Sequence, residues 1–291
     1  MNLASPIGSE SPEILSGLGA IADSYDALLC DVWGVLHDGR SARVFAVDAL
    51  QRFRRLRGPV ILLSNAPRPA EDVQKQLDHL GIAEDSYDAI LTSGMLARHE
   101  LARRTADKEL KLLHIGPERD RGIFAGLPIA CVEANRAEVV ACTGLYDDDH
   151  ETPDDYRDLL LDAKRRGLAL LCANPDIVVQ RGGVLVYCAG ALARSYESMG
   201  GTSIYFGKPH APIYAAALEL ARMKHEAARA LAIGDGLETD IRGANAAGID
   251  ALFIADGIHG ENIPEVSTSV IATLFAQAGV QARGAMRALV W

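Results

Sequence analysis

The chain has 291 residues, 49% hydrophobic and 23% charged, which is enough apolar material for one large core or two modest ones and excludes a disordered chain. Its 29 Lys and Arg stand against 39 Asp and Glu, and the net charge of −10 argues against a nucleic-acid partner. Five scattered cysteines, with no C-x-x-C pair, argue against a zinc site or a disulfide framework and point to a reducing cytoplasm. The stretch MNLASPIGSESPEIL lacks the basic segment of a secretory leader, and no uncharged run is apolar enough to span a bilayer.

In chain order, Ala27 to Cys30 reads as a buried strand ending at Asp31, and Val44, Val47, Leu50, Phe53 and Leu56 recur at helical spacing. Pro59 to Leu63 is a second strand, ending at Ser64-Asn65, and Val73, Leu77 and Leu80 mark a helix closed by Gly81. Ala89 to Leu91, Leu112 to Ile115 and Glu138 to Cys142 are further strands. Thr152-Pro153-Asp154-Asp155 starts a helix with a cap, a first-turn proline and acidic residues; Lys164-Arg165-Arg166-Gly167 ends it. Strands follow at Leu168 to Cys172, Ser203 to Phe206, Ala230 to Ile233 and Ala251 to Ile254, with helices near Ala211 to Met223, Thr239 to Ala247 and Val270 to Ala278. The apolar tail Met286 to Trp291 packs on the core or on another subunit. This alternation predicts an α/β fold with parallel sheets.

In such folds the ligand site lies beyond the carboxyl ends of the strands. Three predicted strands end there on Asp31, Ser64 and Asp235, and a loop lysine, Lys208, follows a fourth. Two carboxylates, a hydroxyl and an ammonium converging on one point suit phosphoryl transfer. One Asp attacks phosphorus, the other shares a Mg²⁺ with it, and Ser and Lys hold the phosphate oxygens.

The segments Asp31-Val32-Trp33-Gly34-Val35-Leu36, Leu63-Ser64-Asn65, Gly207-Lys208-Pro209 and Gly234-Asp235-Gly236-Leu237-Glu238-Thr239-Asp240 resemble the four motifs of the haloacid dehalogenase (HAD) superfamily. The pattern is similar to its class IIA, which contains nucleotide, phosphoglycolate and pyridoxal-phosphate phosphatases. The resemblance implies a Rossmann-like core from residues 1–104 and 201–291, and an inserted α/β cap at 105–200. It makes Asp31 the nucleophile and a Mg²⁺ ligand, with the Trp33 carbonyl, Asp235 and, more weakly, Asp240 completing the metal site. Ser64, the Asn65 amide and Lys208 would hold the phosphate of a small phosphorylated metabolite. Asn174 and Asp176, in a signature-like Ala173-Asn174-Pro175-Asp176, and Arg181 would approach the substrate from the cap, and dimers through the cap would fit the family.

The family's phosphatases carry an acid–base Asp two residues after the nucleophile, where this chain has Trp33, whose indole N–H does not titrate near neutral pH. Three expectations follow: a phosphatase in which another group, with His37 nearest in sequence, supplies the proton; an enzyme for acyl or other activated phosphates; or a non-catalytic phosphometabolite sensor.

Overall fold

The computed structural model describes residues 12–181, 184–224, 229–258, 263 and 265–291. Its strands are β1 (Glu13–Ile14), β2 (Ala27–Asp31), β3 (Val60–Ser64), β4 (Ala89–Thr92), β5 (Leu110–Ile115), β6 (Ile129–Cys131), β7 (Val139–Cys142), β8 (Ala169–Cys172), β9 (Val178–Arg181), β10 (Val184–Tyr187), β11 (Thr202–Tyr205), β12 (Ala230–Gly234), β13 (Asp250–Ile254) and β14 (Gly284–Met286). The helices are α1 (Val44–Leu56), α2 (Ala70–His79), α3 (Ser93–Arg104), α4 (Arg157–Arg165), α5 (Ala189–Ser198), α6 (Ala211–Lys224), α7 (Arg242–Ala246) and α8 (Thr268–Ala278). No described helix is long and apolar enough to cross a membrane.

Two parallel sheets organise the molecule, in the orders β1-β14-β13-β12-β2-β3-β4 and β11-β8-β7-β5-β6. β2 and β3 are buried at every position, which is why they read as unbroken apolar runs rather than alternating ones. Each sheet is covered on both faces. Leu28, Cys30, Leu50, Phe53 and Leu62 pack on one side of the first sheet, and Leu29, Ile61, Tyr214, Phe253 and Ile271 on the other. Met286 and Leu289 join the first of these clusters, so the tail packs on its own core, and Leu18 N–H donates to the Val290 carbonyl at 2.8 Å. The second sheet runs to Tyr205, past residue 200, so the chain leaves its last strand directly into Lys208.

From β2 the chain winds outward through β3 to β4, and from β12 through β13 to β14 on the other side. The seam between β2 and β12 is therefore the topological switch point of the first sheet. Register places its carboxyl edge: Ile233 lies opposite Cys30, and Asp31 opposite Leu63. Asp235, Asp31 and Ser64 thus leave three adjacent strand ends at nearly one level.

Several elements depart from the sequence reading. The segment from Thr152 opens as a 3₁₀ turn, Pro153–Tyr156, before α4; Thr152 donates its N–H (2.8 Å) and hydroxyl (2.9 Å) to the Asp155 carboxylate. The helix expected from Thr239 is a π-helical turn, Leu237–Ile241, followed by the short α7. α3, α5, β14 and the β9–β10 hairpin were not anticipated. α3 buries Ser93, Gly94, Ala97 and Leu101, and the three small residues among these on its inner face give little periodic hydrophobic signal.

Candidate active site

Asp31 is 7% exposed and accepts a hydrogen bond from the Lys208 ammonium, whose Nζ also lies 2.7 Å from Asp240 Oδ1. Asp235 completes the group: one carboxylate oxygen from each of Asp31, Asp235 and Asp240 lies within 4.8 Å of the others. Burial pushes the Asp31 carboxyl well above the ordinary range, an effect that Lys208 opposes and Asp240 and Asp235 reinforce. Burial, then the Asp240 charge, lifts Asp235 to about 6. Burial works against the Lys208 ammonium, but Asp240 and Asp31 hold its pKa well above the usual lysine value.

Three buried carboxylates and one ammonium leave a formal excess of two negative charges, which a divalent cation such as Mg²⁺ would balance. The oxygens are not equally free. Asp240 Oδ1 faces Lys208, while its Oδ2 accepts from Gly236 N–H at 3.1 Å and the Thr239 hydroxyl at 3.2 Å. Asp235 Oδ2 accepts from Ile258 N–H at 2.6 Å. Asp31 and Asp235 therefore fit a cation better than Asp240, which holds Lys208 and ties down the π-helical turn. Tyr214 supports that turn from below, its hydroxyl donating to the Thr239 and Asp240 carbonyls at 3.2 and 3.1 Å.

Glycines shape the cradle in a way that the motif reading did not reveal. A Cβ on Gly34, whose φ is +80°, would lie 2.0 Å from Asp235 Oδ2, and one on Gly257 would lie 1.9 Å from the same atom. The Asp235 carboxylate is clasped between two backbones that only glycine allows so close. Gly257 and the Ile258 N–H lie far beyond the motif in sequence, and nothing in the local pattern marks them.

Ser64 is buried at 5% exposure, its hydroxyl 3.2 Å from Ala66 N–H. The Asn65 side chain bridges the two sheets: its Oδ1 accepts Lys208 N–H at 2.8 Å, and its Nδ2 donates to the Lys208 carbonyl at 3.1 Å and to Asp176 Oδ1 at 2.8 Å. Asn174 holds Asp176 in place by accepting its N–H at 3.1 Å through Oδ1. Asn65, Asn174 and Asp176 are thus brought to the site. Arg181 ends β9, but its side chain lies outside the described residues.

His37 is enclosed, its Nε2 buried with no partner among the described residues. It is 1% exposed, its Nδ1 accepts Gly39 N–H at 3.0 Å, and burial drives its pKa down to about 4, so the ring is neutral near pH 7 and pins the turn after β2. Proximity in sequence did not reveal where the ring points. Trp33 is half-buried and lies against the same turn, edge-on to His37 at 5.1 Å between ring centroids. A Cβ on Gly39 would sit 2.3 Å from the Trp33 indole.

A second polar cluster, also missed, occupies the carboxyl edge of the other sheet. His114 Nε2 lies 2.9 Å from Thr143 Oγ1, at the ends of the neighbouring strands β5 and β7. Burial lowers the His114 pKa to about 4. Asp120, 3% exposed, is raised to about 6 by burial against the opposing charges of Arg119 and Arg68.

Comparison with known proteins gives matches along most of the chain. A haloacid dehalogenase-like hydrolase profile matches residues 28–129, and a HAD-hydrolase-like profile matches 205–274. A crystal structure of a haloacid dehalogenase-like hydrolase from Brucella suis is 41% identical, with TM-score 0.82, covering 96% of this chain and all of that one. The D-glycerol 3-phosphate phosphatase of Mycobacterium tuberculosis is 30% identical over 245 residues; the match covers 82% of this chain and 65% of that one. A structure of a glycerol phosphate phosphatase from M. tuberculosis in complex with magnesium has TM-score 0.63 and 28% identity, with 82% and 70% of the two chains covered.

Proposed function

Because the chain belongs to the haloacid dehalogenase-like hydrolases, with the sequence pattern of class IIA, we propose that it is a Mg²⁺-dependent phosphatase of a small phosphorylated metabolite, acting through an aspartyl-phosphate. The observation that carries this reading is the buried Asp31–Lys208–Asp240 group with Asp235 beside it at the β2–β12 seam. Asp31 and Asp235, with the Trp33 carbonyl and Asp240 as weaker contributors, would hold Mg²⁺, which offsets charge between the nucleophile and the phosphate when bound. A magnesium complex of a mycobacterial glycerol phosphate phosphatase supports that assignment.

Asp31 attacks phosphorus through its carboxylate. Lys208, at hydrogen-bond distance from that carboxylate, neutralises it against the incoming phosphate and then holds a phosphate oxygen. The Ser64 hydroxyl and the Asn65 N–H take further phosphate oxygens. Asn174 and Asp176 face the leaving group from the inserted unit, read from the sequence as 105–200 and carried by its sheet to Tyr205, whose closure over the flanking core segments excludes bulk water. The enzyme works in a reducing compartment such as the cytoplasm, where its five cysteines remain free thiols, and pairs through the cap.

The test is a panel of phosphate monoesters assayed with Mg²⁺ and with excess chelator, on wild type and Asp31→Asn. Metal-dependent release of phosphate that disappears in Asp31→Asn is expected. Turnover that persists in that variant, or without metal, overturns the reading.

A further inference from the structure

An alkyl phosphate leaves as an alkoxide, which needs a proton as the P–O bond breaks; a positioned acid is worth roughly 10² to 10⁴-fold in rate. The groups around Asp31 narrow the source of that proton. Trp33 carries only an indole N–H, and His37 is 1% exposed, its Nδ1 accepting Gly39 N–H and its Nε2 enclosed without a partner among the described residues. Asp31 is the attacking group, Asp235 is assigned with it to the cation and also accepts Ile258 N–H, and Asp240 spends both oxygens on Lys208, Gly236 and Thr239. Among the described residues a further carboxyl, from the other sheet, borders the group. Asp176 arrives from the other sheet, fixed by Asn174, and binds Asn65 Nδ2 at 2.8 Å through Oδ1. Among the described residues its Oδ2 makes no hydrogen bond. Asn65 is in turn bound to the Lys208 backbone, and Lys208 to Asp31, so Asp176 is two residues removed from the nucleophile.

Resting on the phosphatase reading above, we propose that Asp176 is the acid–base residue of this site, donating a proton to the leaving oxygen and then taking one from water. As Asp31 bonds to phosphorus, the ester P–O electrons pass to the leaving oxygen, and the Asp176 proton follows to release an alcohol. Water then attacks the aspartyl-phosphate and gives one proton to the Asp176 carboxylate. The P–O bond to Asp31 breaks, phosphate departs, and both carboxyls return to their starting states. The surroundings suit this cycle. Burial raises the Asp176 carboxyl above the ordinary range, opposed by the Asn65 hydrogen bond and Lys208 and reinforced by Asp240. A carboxyl so placed keeps its proton to higher pH than an exposed one.

The experiment measures kcat/KM, which reports the phosphoryl-transfer half-reaction, on glycerol 3-phosphate and on 4-nitrophenyl phosphate, whose phenol leaves readily without a proton. Asp176→Asn is expected to lower the alkyl-to-aryl ratio roughly 10²-fold and to remove the alkaline limb of the alkyl pH profile. Adding Trp33→Asp to that variant is expected to raise the ratio again, which also shows that the protein is folded. Equal losses on both esters with an unchanged pH profile would make Asp176 a structural tie and overturn the proposal while leaving the phosphatase reading intact. Wild-type protein inactive on both esters with Mg²⁺ would overturn both together.

Discussion

The carboxyl edges of the two sheets are built alike and charged differently. Each follows parallel strands at a point where the winding reverses, and each collects buried polar side chains. At the first sheet the group is Asp31, Asp235, Asp240 and Lys208, carrying an excess of negative charge; at the second it is His114 bound to Thr143, with Asp120 nearby and its carboxyl raised to about 6. Topology supplies a crevice in both places. Reactivity follows from leaving charge unbalanced in only one of them, because a neutral pair such as His114–Thr143 has no call on a cation or a phosphate.

Breaking the first edge should have the largest effect. Asp31→Asn is expected to reduce turnover on the order of 10⁴-fold or more, checked by steady-state kinetics at saturating Mg²⁺. Lys208→Met removes the one cation from among three buried carboxylates and should cost about 3–5 kcal/mol of unfolding free energy, read by denaturant titration without metal. Added Mg²⁺ should stabilise wild type by about 2.7 kcal/mol at one hundred times its dissociation constant. Little or no gain is expected in an Asp31→Asn/Asp235→Asn variant, and an equal gain there would place the cation elsewhere.

The second edge should respond less, and to protons rather than metal. His114→Ala takes away one of the two partners of the Thr143 hydroxyl, leaving Asp120, and should cost about 0.5–1.5 kcal/mol with no change in metal dependence. Its pH behaviour opposes that of Asp120. Folded His114, with a pKa of about 4 against 6.5 when unfolded, binds fewer protons than the unfolded chain between those values. Its contribution is complete above pH 6.5 and is lost as the pH falls toward 4. Folded Asp120, at about 6 against 3.8, binds more protons than the unfolded chain; its contribution is complete below pH 3.8 and is lost as the pH rises through 6. Relative to wild type, His114→Gln should therefore make stability fall more steeply with rising pH between 4 and 6, and Asp120→Asn should make it rise. Melting temperatures across that range separate the two, and slopes of the same sign would refute the assignment.

Much of the first edge was legible in the sequence because the physics there is local. A strand buried on both faces must be an unbroken apolar run, so Ala27 to Cys30 and Val60 to Leu63 announced themselves, and the polar residue ending each run pointed to the site. What stayed hidden depends on contacts between distant segments. Gly257 matters only because the Asp235 carboxylate rests against it, and the burial of His37 with Nδ1 on Gly39 N–H follows from packing that spacing does not encode. His114 lies inside a segment already read as a strand, while Asp120 and Thr143 lie outside the predicted strands; the three acquire meaning only when β5 and β7 pair.

The placement of β12 between β2 and β13 also sets an order in time. The strands of the second sheet all fall between Leu110 and Tyr205, with only the β9–β10 hairpin set among them, so that sheet has all its pieces while more than a quarter of the chain is still to be made. The first sheet does not: until Ala230 to Gly234 emerges, the apolar strand β2 is an open edge, with the aggregation hazard that open edges carry. Asp31 waits through most of synthesis for Asp235, so a truncated product would carry one of these two buried carboxylates without the other.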